Sequence, residues 1–359
     1  MSSLPDVQDV RPDARTAASF TITLRPSGHH YVCGADTSVL KAGLDAGMFM
    51  PYSCRSGVCK TCRGRVVDGQ VDFGDVHPKY LTPEDKAKGY SLLCCARPLS
   101  DLVVEVAEVE VGSAIRSKYM PVRVLDLKRP TPDVMVVTLG LPVNEPAVFR
   151  AGQYVDFVLA GGARRSYSIA NVPSNDGVRQ VELHIRHTPG GLFTDHVFGS
   201  MKLRGVYRIE MPLGSFFLRE NSERPLVMLA SGTGFAPIKS IVEYGLQRGM
   251  KRPIRFYWGG RRREDLYMMG VADAWAQEHP HIAFIPVLSE PTSGCAWTGR
   301  TGFVHHAVME DIADLSPFEV YACGAPIVIE SARRDFCGSR RLDESHFFAD
   351  SFLTAADKA

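Results

Sequence analysis

Three cysteines lie close together in Pro51-Tyr52-Ser53-Cys54-Arg55-Ser56-Gly57-Val58-Cys59-Lys60-Thr61-Cys62, at the spacing Cys-x4-Cys-x2-Cys, and Cys94 or Cys95 offers a fourth thiol further on. This spacing fits a [2Fe-2S] cluster: one loop wraps the metal, and a distant cysteine ties that loop to the rest of its domain. Gly57 suits such a loop, because a residue without Cβ lets the backbone pass close to the sulfides. Structural zinc is a rival, but zinc sites usually pair two Cys-x-x-Cys knuckles, and only Cys59 to Cys62 forms one. Disulfides are the other rival. The N-terminus lacks the apolar core of a secretory signal, so nine cysteines point to a reducing, cytoplasmic setting where disulfides are rare. Cys33, Cys295, Cys323 and Cys337 are then packed thiols by default.

Four further stretches suit phosphates and flat rings. Arg165-Ser166-Tyr167-Ser168 offers a cation, a ring and a hydroxyl. Gly190-Gly191-Leu192-Phe193-Thr194 puts glycines and a hydroxyl at a helix start, where free backbone N–H groups bind anions. Ser231-Gly232-Thr233-Gly234-Phe235-Ala236-Pro237 joins an apolar run to a helical segment, the place where an open α/β sheet holds a dinucleotide. It departs from Gly-x-Gly-x-x-Gly, with Pro237 in the last slot. Tyr321-Ala322-Cys323-Gly324-Ala325-Pro326 repeats the strand-to-turn pattern, with Cys323 either in the core or at the ligand crevice. Taken singly, the first two stretches also read as an ordinary strand and a capped helix. The eleven histidines show no metal spacing and read as surface or core residues.

The elements that must position these residues change character along the chain. Residues 1–18 are polar and read as a tail. Residues 19–24 alternate with period two, 30–33 return as a second strand, and 38–48 carry helical spacing with Thr37 as the expected cap. Segments 64–67 and 69–73 read as a hairpin, 81–88 as a helix with Thr82 at its cap and Pro83 in its first turn, and 102–106 as a closing strand. This predicts a domain over 19–112. Strand-like segments at 122–127, 134–139, 153–159, 166–169, 181–185 and 207–211, with one helical stretch at 193–201, predict an antiparallel barrel over 113–222. From 223 to 359, apolar runs at 226–230, 254–258, 282–287 and 320–323 alternate with helical segments, which predicts a parallel sheet covered on both faces.

Composition is consistent with several soluble domains: 359 residues, 45% hydrophobic and 23% charged. A formal charge of +1 gives no drive toward nucleic acid, and no stretch approaches eighteen apolar residues, so neither nucleic acid nor membrane is an expected partner.

With these motifs in hand, the chain resembles ferredoxin-NADP-reductase-type flavoproteins with a fused N-terminal plant-type ferredoxin domain, over roughly residues 19–352. The phrases Arg165-Ser166-Tyr167-Ser168-Ile169-Ala170-Asn171, Ser231-Gly232-Thr233-Gly234-Phe235-Ala236-Pro237-Ile238-Lys239-Ser240 and Phe348-Ala349-Asp350-Ser351-Phe352 carry the likeness. It looks most similar to reductase components of aromatic-ring dioxygenases, terephthalate type included, and to CDP-6-deoxy-Δ3,4-glucoseen reductases. The resemblance implies a β-grasp ferredoxin-like α+β domain, an FAD-binding barrel and an NAD(P)H-binding α/β domain. It also implies that Arg165 pairs with the flavin pyrophosphate, Tyr167 lies against the isoalloxazine and Ser168 hydrogen-bonds near flavin N5. His184, Ile185 and Arg186 would line the FAD, with Gly191 and Thr194 on the pyrophosphate. Gly232, Thr233 and Gly234 would cradle the nicotinamide dinucleotide, Cys323 and Gly324 would flank the nicotinamide, and Phe352 would be the terminal aromatic near the flavin. Leu92-Leu93-Cys94-Cys95-Ala96-Arg97-Pro98 resembles a family phrase with one cysteine followed by glutamine, which makes Cys94 the fourth ligand beside Cys54, Cys59 and Cys62.

The implied job is to take a hydride from NAD(P)H and release electrons singly through the cluster to a protein acceptor, with the cofactors carrying the chemistry and no catalytic acid, base or nucleophile nominated. The leading expectation for the acceptor is a terminal oxygenase of an aromatic-ring dioxygenase system; the alternative is a pyridoxamine-phosphate dehydrase in deoxysugar synthesis. Arg55, Lys60, Arg63 and Arg65 suggest a basic rim that meets an acidic patch on that acceptor. Arg261-Arg262-Arg263-Glu264-Asp265 mixes charges where the coenzyme ribose is read, and the acidic pair beside Leu266-Tyr267 is similar to NADH-using relatives.

Overall fold

The computed structural model describes residues 18–106, 110–111 and 115–353. Residues 1–17 of the expected tail, and residues 112–114 at the boundary between the first two expected domains, therefore lie outside the described residues.

In the first module, strands His30–Gly34, Ser19–Arg25, Leu102–Glu105, Arg63–Asp68 and Tyr90–Leu92 lie side by side in that order. Ser19–Arg25 runs parallel to Leu102–Glu105, and the other pairs are antiparallel. The alternation seen in the sequence turns Ile22 and Leu24 inward, where they are fully buried. Helix Val39–Asp45 buries Val39 and Leu40 in the same core. Its cap is Ser38, not the expected Thr37: the Ser38 hydroxyl accepts from Lys41 N at 3.3 Å. The helix also stops before Met48. Gly47 takes φ +81°, and Met48–Phe49 then pairs with Glu110–Val111 as a short antiparallel ladder. The helix Pro83–Ala87 is capped by Thr82 as expected, in a reciprocal capping box with Asp85.

The expected hairpin over 64–73 does not form. Arg63–Asp68 pairs with Leu102–Glu105 and Tyr90–Leu92, whereas Val71–Asp72 pairs with Arg97–Pro98. The turn at Gly69 sends the chain aside. A Cβ there would lie 2.0 Å from Asp101 O, and Gln70 N donates to Ser100 Oγ at 2.8 Å.

The second module is a six-stranded antiparallel sheet in the order Arg164–Ser168, Tyr154–Val158, Val206–Leu213, Lys118–Thr131, Val134–Gly140, Gln180–Arg186. A bridge between Ile169 and Leu183 links its two ends, so the sheet curls into a barrel around Val137, Phe157, Leu183 and Ile209. Helix Leu192–Gly199 closes one side, with the Phe193 ring 4.4 Å from that of Phe157.

The third module is an all-parallel sheet, ordered Arg300–Thr301, Ile282–Leu288, Ile254–Gly260, Leu226–Ser231, Glu319–Gly324, Phe347–Ser351. Leu226, Met228 and Ala230 face one core with Phe235 and Trp258, while Val227 and Leu229 face the other with Val308 and Phe336. Burial on both faces explains why Leu226–Ser231 reads as an unbroken apolar run. Among the described residues no helix is long and apolar enough to cross a membrane.

Candidate functional site

A cleft of about 970 Å³ opens where the three modules meet. The barrel contributes Arg165, Tyr167, Ser168, His184 and Arg186, and the loop and helix start at 188–194 form its floor. The parallel sheet contributes only residues at or just beyond the C-terminal ends of its strands or the helix starts that follow, such as Ser231, Gly232, Gly260, Glu290 and Asp350. That edge is where a doubly wound sheet binds ligands. The first module contributes Ser53 and Cys54.

The cysteine loop reaches the cleft because its leading residues are pinned to the other modules. Tyr52 N donates to Ser215 Oγ, and that hydroxyl donates back to Tyr52 O, both at 2.8 Å. Tyr154 OH donates to Ser53 O at 2.7 Å, and Ser53 Oγ donates to Asp350 Oδ1 at 2.6 Å. Arg55 takes a positive φ of 53° and reaches Asp156 at 2.5 Å. Within the loop, the Cys54 thiol meets that of Cys59, and the Cys62 thiol meets that of Cys94. Cys95 Sγ lies 3.7 Å from Cys94 Sγ and against Gly57, where a Cβ would come within 2.9 Å of it. Ser56 N donates to Cys54 Sγ at 3.4 Å.

Ten of the fourteen cofactor residues named from the sequence line the cleft: Arg165, Tyr167, Ser168, His184, Arg186, Gly191, Thr194, Gly232, Thr233 and Phe352. Ile185, Gly234, Cys323 and Gly324 stand behind its wall. Ile185 and Cys323 are fully buried in hydrophobic cores. Gly234 is there for packing, since a Cβ would lie 2.1 Å from Cys323 O. Thr194 lines the cleft, but its hydroxyl donates to Thr188 O at 2.8 Å and accepts from Thr188 N, so it shapes the loop. The backbone N–H groups of the first helical turn are then the donors this end could offer an anion.

The comparisons follow this modular plan. Residues 22–99 match the 2Fe-2S iron-sulfur cluster binding domain, 121–218 the oxidoreductase FAD-binding domain and 228–334 the oxidoreductase NAD-binding domain. Over 335 residues (93% of this chain and 99% of the relative) the chain is 40% identical to the CDP-6-deoxy-L-threo-D-glycero-4-hexulose-3-dehydrase reductase of Yersinia pseudotuberculosis. The chain belongs to the ferredoxin-NADP-reductase-type flavoproteins with an N-terminal 2Fe-2S ferredoxin domain. This reductase is also 33% identical to reductase component 1 of a Comamonas terephthalate 1,2-dioxygenase, over 93% of its length and 97% of that protein. The crystal structure of an Amycolatopsis cytochrome P450 reductase matches with a TM-score of 0.76 and 34% identity, covering 94% of this chain and 99% of that one.

The reductase is an NAD(P)H-dependent iron–sulfur flavoprotein oxidoreductase, and its own residues fit the groups that its modules bind. Cys54 beside Cys59 and Cys62 beside Cys94 would offer two thiols to each of two irons. Arg165 forms no ion pair among the described residues and lines the cleft, and Arg186 Nη2 is buried without a hydrogen-bond partner; both suit a pyrophosphate. Arg164, one residue away, is already committed to Glu210, Asp156 and Tyr119. Both arginines line the cleft, but Arg164 is held by carboxylates, whereas Arg165 has no ion-pair partner among the described residues.

His184 is buried, and burial pulls its pKa below the usual imidazole value, so it is neutral near pH 7. Its Nε2 lies 3.0 Å from Glu182, which as a carboxylate can only accept, so Nε2 carries the proton and Nδ1 accepts from Tyr267 OH at 2.6 Å. Glu182 is held down at about 2 by His184 and Lys239 despite its burial.

Two expectations about charge need correction. Three of the four rim cations are paired within the chain: Arg55 with Asp156, Arg63 with Asp85, and Arg65 with Glu105. Of the four, Lys60 alone forms no ion pair among the described residues, because folding places carboxylates from distant segments beside the loop. Asp265 is likewise spent. Its Oδ2 accepts from Arg261 N and Arg262 N, and its Oδ1 meets Arg186. Glu264 does not line the cleft, whereas Glu290 and Arg261 do. Glu290, Ser53, Tyr154 and Asp350 also line the cleft, and motif reading did not single them out. Ser53 and Asp350 sit inside phrases quoted for other residues, and no local pattern marks Glu290 or Tyr154.

Proposed function

We propose that this reductase passes electrons from NADH to a dehydrase acting on a CDP-linked 6-deoxy-4-hexulose. The electron-transfer role rests on one observation: a single cleft is bounded by the coenzyme-binding edge of the parallel sheet, the flavin barrel and Cys54 of the cysteine loop. When bound, the flavin would accept one hydride, two electrons with a proton, and give up the electrons one at a time, which links a two-electron donor to a one-electron cluster. The chain's residues hold and orient these groups. Cys54, Cys59, Cys62 and Cys94 are the proposed cluster ligands. Arg165 and Arg186 would neutralise the flavin pyrophosphate, Tyr167 would lie against the ring system, and Gly232 and Thr233 would receive the dinucleotide. Glu290, whose carboxylate has no paired cation among the described residues, supports NADH over its 2′-phosphorylated form, with Arg261 as the opposing charge in the cleft.

The choice of acceptor replaces the leading expectation of an aromatic-ring oxygenase with its alternative. Identity to the hexulose dehydrase reductase is 40%, against 33% to the terephthalate reductase component, with equal coverage of this chain. The test is a coupled assay in which the purified holoenzyme and NADH are supplied with the dehydrase and CDP-6-deoxy-4-hexulose, or with a terminal oxygenase and terephthalate. Coenzyme oxidation that requires both dehydrase and sugar nucleotide is expected. Coupling to the oxygenase alone would overturn the proposal.

A further inference from the structure

Among the described residues, one hydrogen bond joins the parallel-sheet module directly to the cysteine loop. Ser53 Oγ donates to Asp350 Oδ1 at 2.6 Å, between residues 297 positions apart. Asp350 Oδ2 simultaneously accepts from Ser168 Oγ at 3.3 Å, so one carboxylate holds side chains of both other modules. Ser53, Ser168 and Asp350 are all nearly inaccessible, at 4%, 4% and 5% exposure. No cation pairs with Asp350 among the described residues. Its compensation comes from these two hydroxyls, and burying a carboxylate on such terms is costly. Such an arrangement asks for a purpose. Ser53 immediately precedes Cys54, and Asp350 lies on the last strand of the sheet, Phe347–Ser351, next to the cleft.

We propose that Asp350 is a positioning residue for electron passage between the flavin and iron–sulfur modules: by holding Ser53 and Ser168 together, it fixes the Cys54 end of the cysteine loop in the shared cleft. The contact is specific in kind. Tyr154 and Ser215 also grip the loop, but through its backbone atoms, and Arg55 grips the barrel beyond the cysteine. Among the described residues, Asp350 alone makes a hydrogen bond from the parallel sheet to the loop. The ferredoxin module is therefore held for transfer in place, and the protein acceptor must approach a face of the cluster loop other than the one carrying Ser53 and Cys54.

This rests on the NAD(P)H-to-cluster path, and the test separates the two. Wild type, Ser53→Ala, Asp350→Ala and Asp350→Asn are compared as holoenzymes with matched flavin and iron content. Ferricyanide reduction reads electrons leaving the flavin, and stopped-flow bleaching of the cluster reads the step between modules. Hydrogen exchange at residues 52–56 reads loop order independently of activity. Ser53→Ala is expected to slow cluster reduction on the order of tenfold to a hundredfold, with ferricyanide reduction retained and exchange at 52–56 increased. Adding Asp350→Ala to Ser53→Ala is expected to slow the inter-module step little further, since each acts through the other. Asp350→Asn keeps an acceptor for Ser53, so it should hold exchange at 52–56 near the wild-type level and reduce the cluster faster than Asp350→Ala. Cluster reduction in Ser53→Ala at the wild-type rate, or Asp350→Asn as slow as Asp350→Ala with unchanged exchange, would overturn the proposal. Wild type that never reduces its cluster would instead overturn the path itself.

Discussion

The Arg186 guanidinium on the flavin barrel meets the Asp265 carboxylate on the nucleotide sheet at 3.0 Å, and the same carboxylate caps the N–H groups of Arg261 and Arg262. A single side chain thus shapes the loop after Ile254–Gly260 and restrains a cation that faces the flavin side. Asp265→Ala is expected to raise KM for NADH roughly tenfold, equivalent to about 1.4 kcal/mol, with a smaller change in kcat. Steady-state ferricyanide reduction measures it, and an unchanged KM would count against a role in coenzyme binding.

The cysteine pairing makes Cys94 and Cys95 unequal despite their adjacency. Cys94→Ser is expected to lose the cluster, and Cys95→Ser to keep about two irons per chain. Iron content and the visible spectrum of each purified variant decide the matter. Equal retention in both would sink the assignment.

Arg164 and Arg165 divide two tasks between neighbours. Arg165→Ala should weaken FAD binding at least about tenfold while leaving apoprotein stability nearly unchanged. Arg164→Ala should do the reverse. It removes a cation from buried Asp156 and Glu210, and a loss of about 1–3 kcal/mol is expected after allowing for its partial exposure. Flavin titration and thermal unfolding of both variants separate the effects.

Acid should destabilise the barrel-to-sheet contact around His184. The Glu182 pKa is depressed to about 2 in the fold, so its stabilisation is present above the unfolded value of 4.5 and is lost as pH falls toward 2. The His184 pKa is also depressed, by burial. The unfolded imidazole therefore takes up a proton first, and stability begins to fall as pH drops below 6.5. Melting temperature should decline in both windows. Glu182→Gln should flatten the lower window and leave the upper one, which unfolding scans between pH 3 and 8 would reveal.

Local chemistry was well written into the chain. The Cys-x4-Cys-x2-Cys loop, the Thr82 cap, the period-two strand at 19–24 and the apolar run at 226–230 each depend on neighbours a few residues away. Where short-range rules competed, the outcome was less legible. Thr37 and Ser38 both suit a helix cap, and geometry chose Ser38. The sequence 64–73 suits a hairpin, yet Gly69 lies so close to Asp101 that the returning segment pairs elsewhere.

The amino-acid sequence by itself therefore determined three modules and their cofactor classes, and ten of the fourteen cofactor residues read from it line the cleft, because spacing within a strand, turn or loop fixes which types share a face. Tertiary structure alone decided which charges remained available and how the modules join. Arg55, Arg63 and Arg65 look alike in sequence until Asp156, Asp85 and Glu105 neutralise them. Ser53 and Asp350 carry no mutual signal across 297 positions. Their hydrogen bond exists because packing of the modules brings them to one cleft, where a carboxylate removed from water must find its donors across a domain boundary.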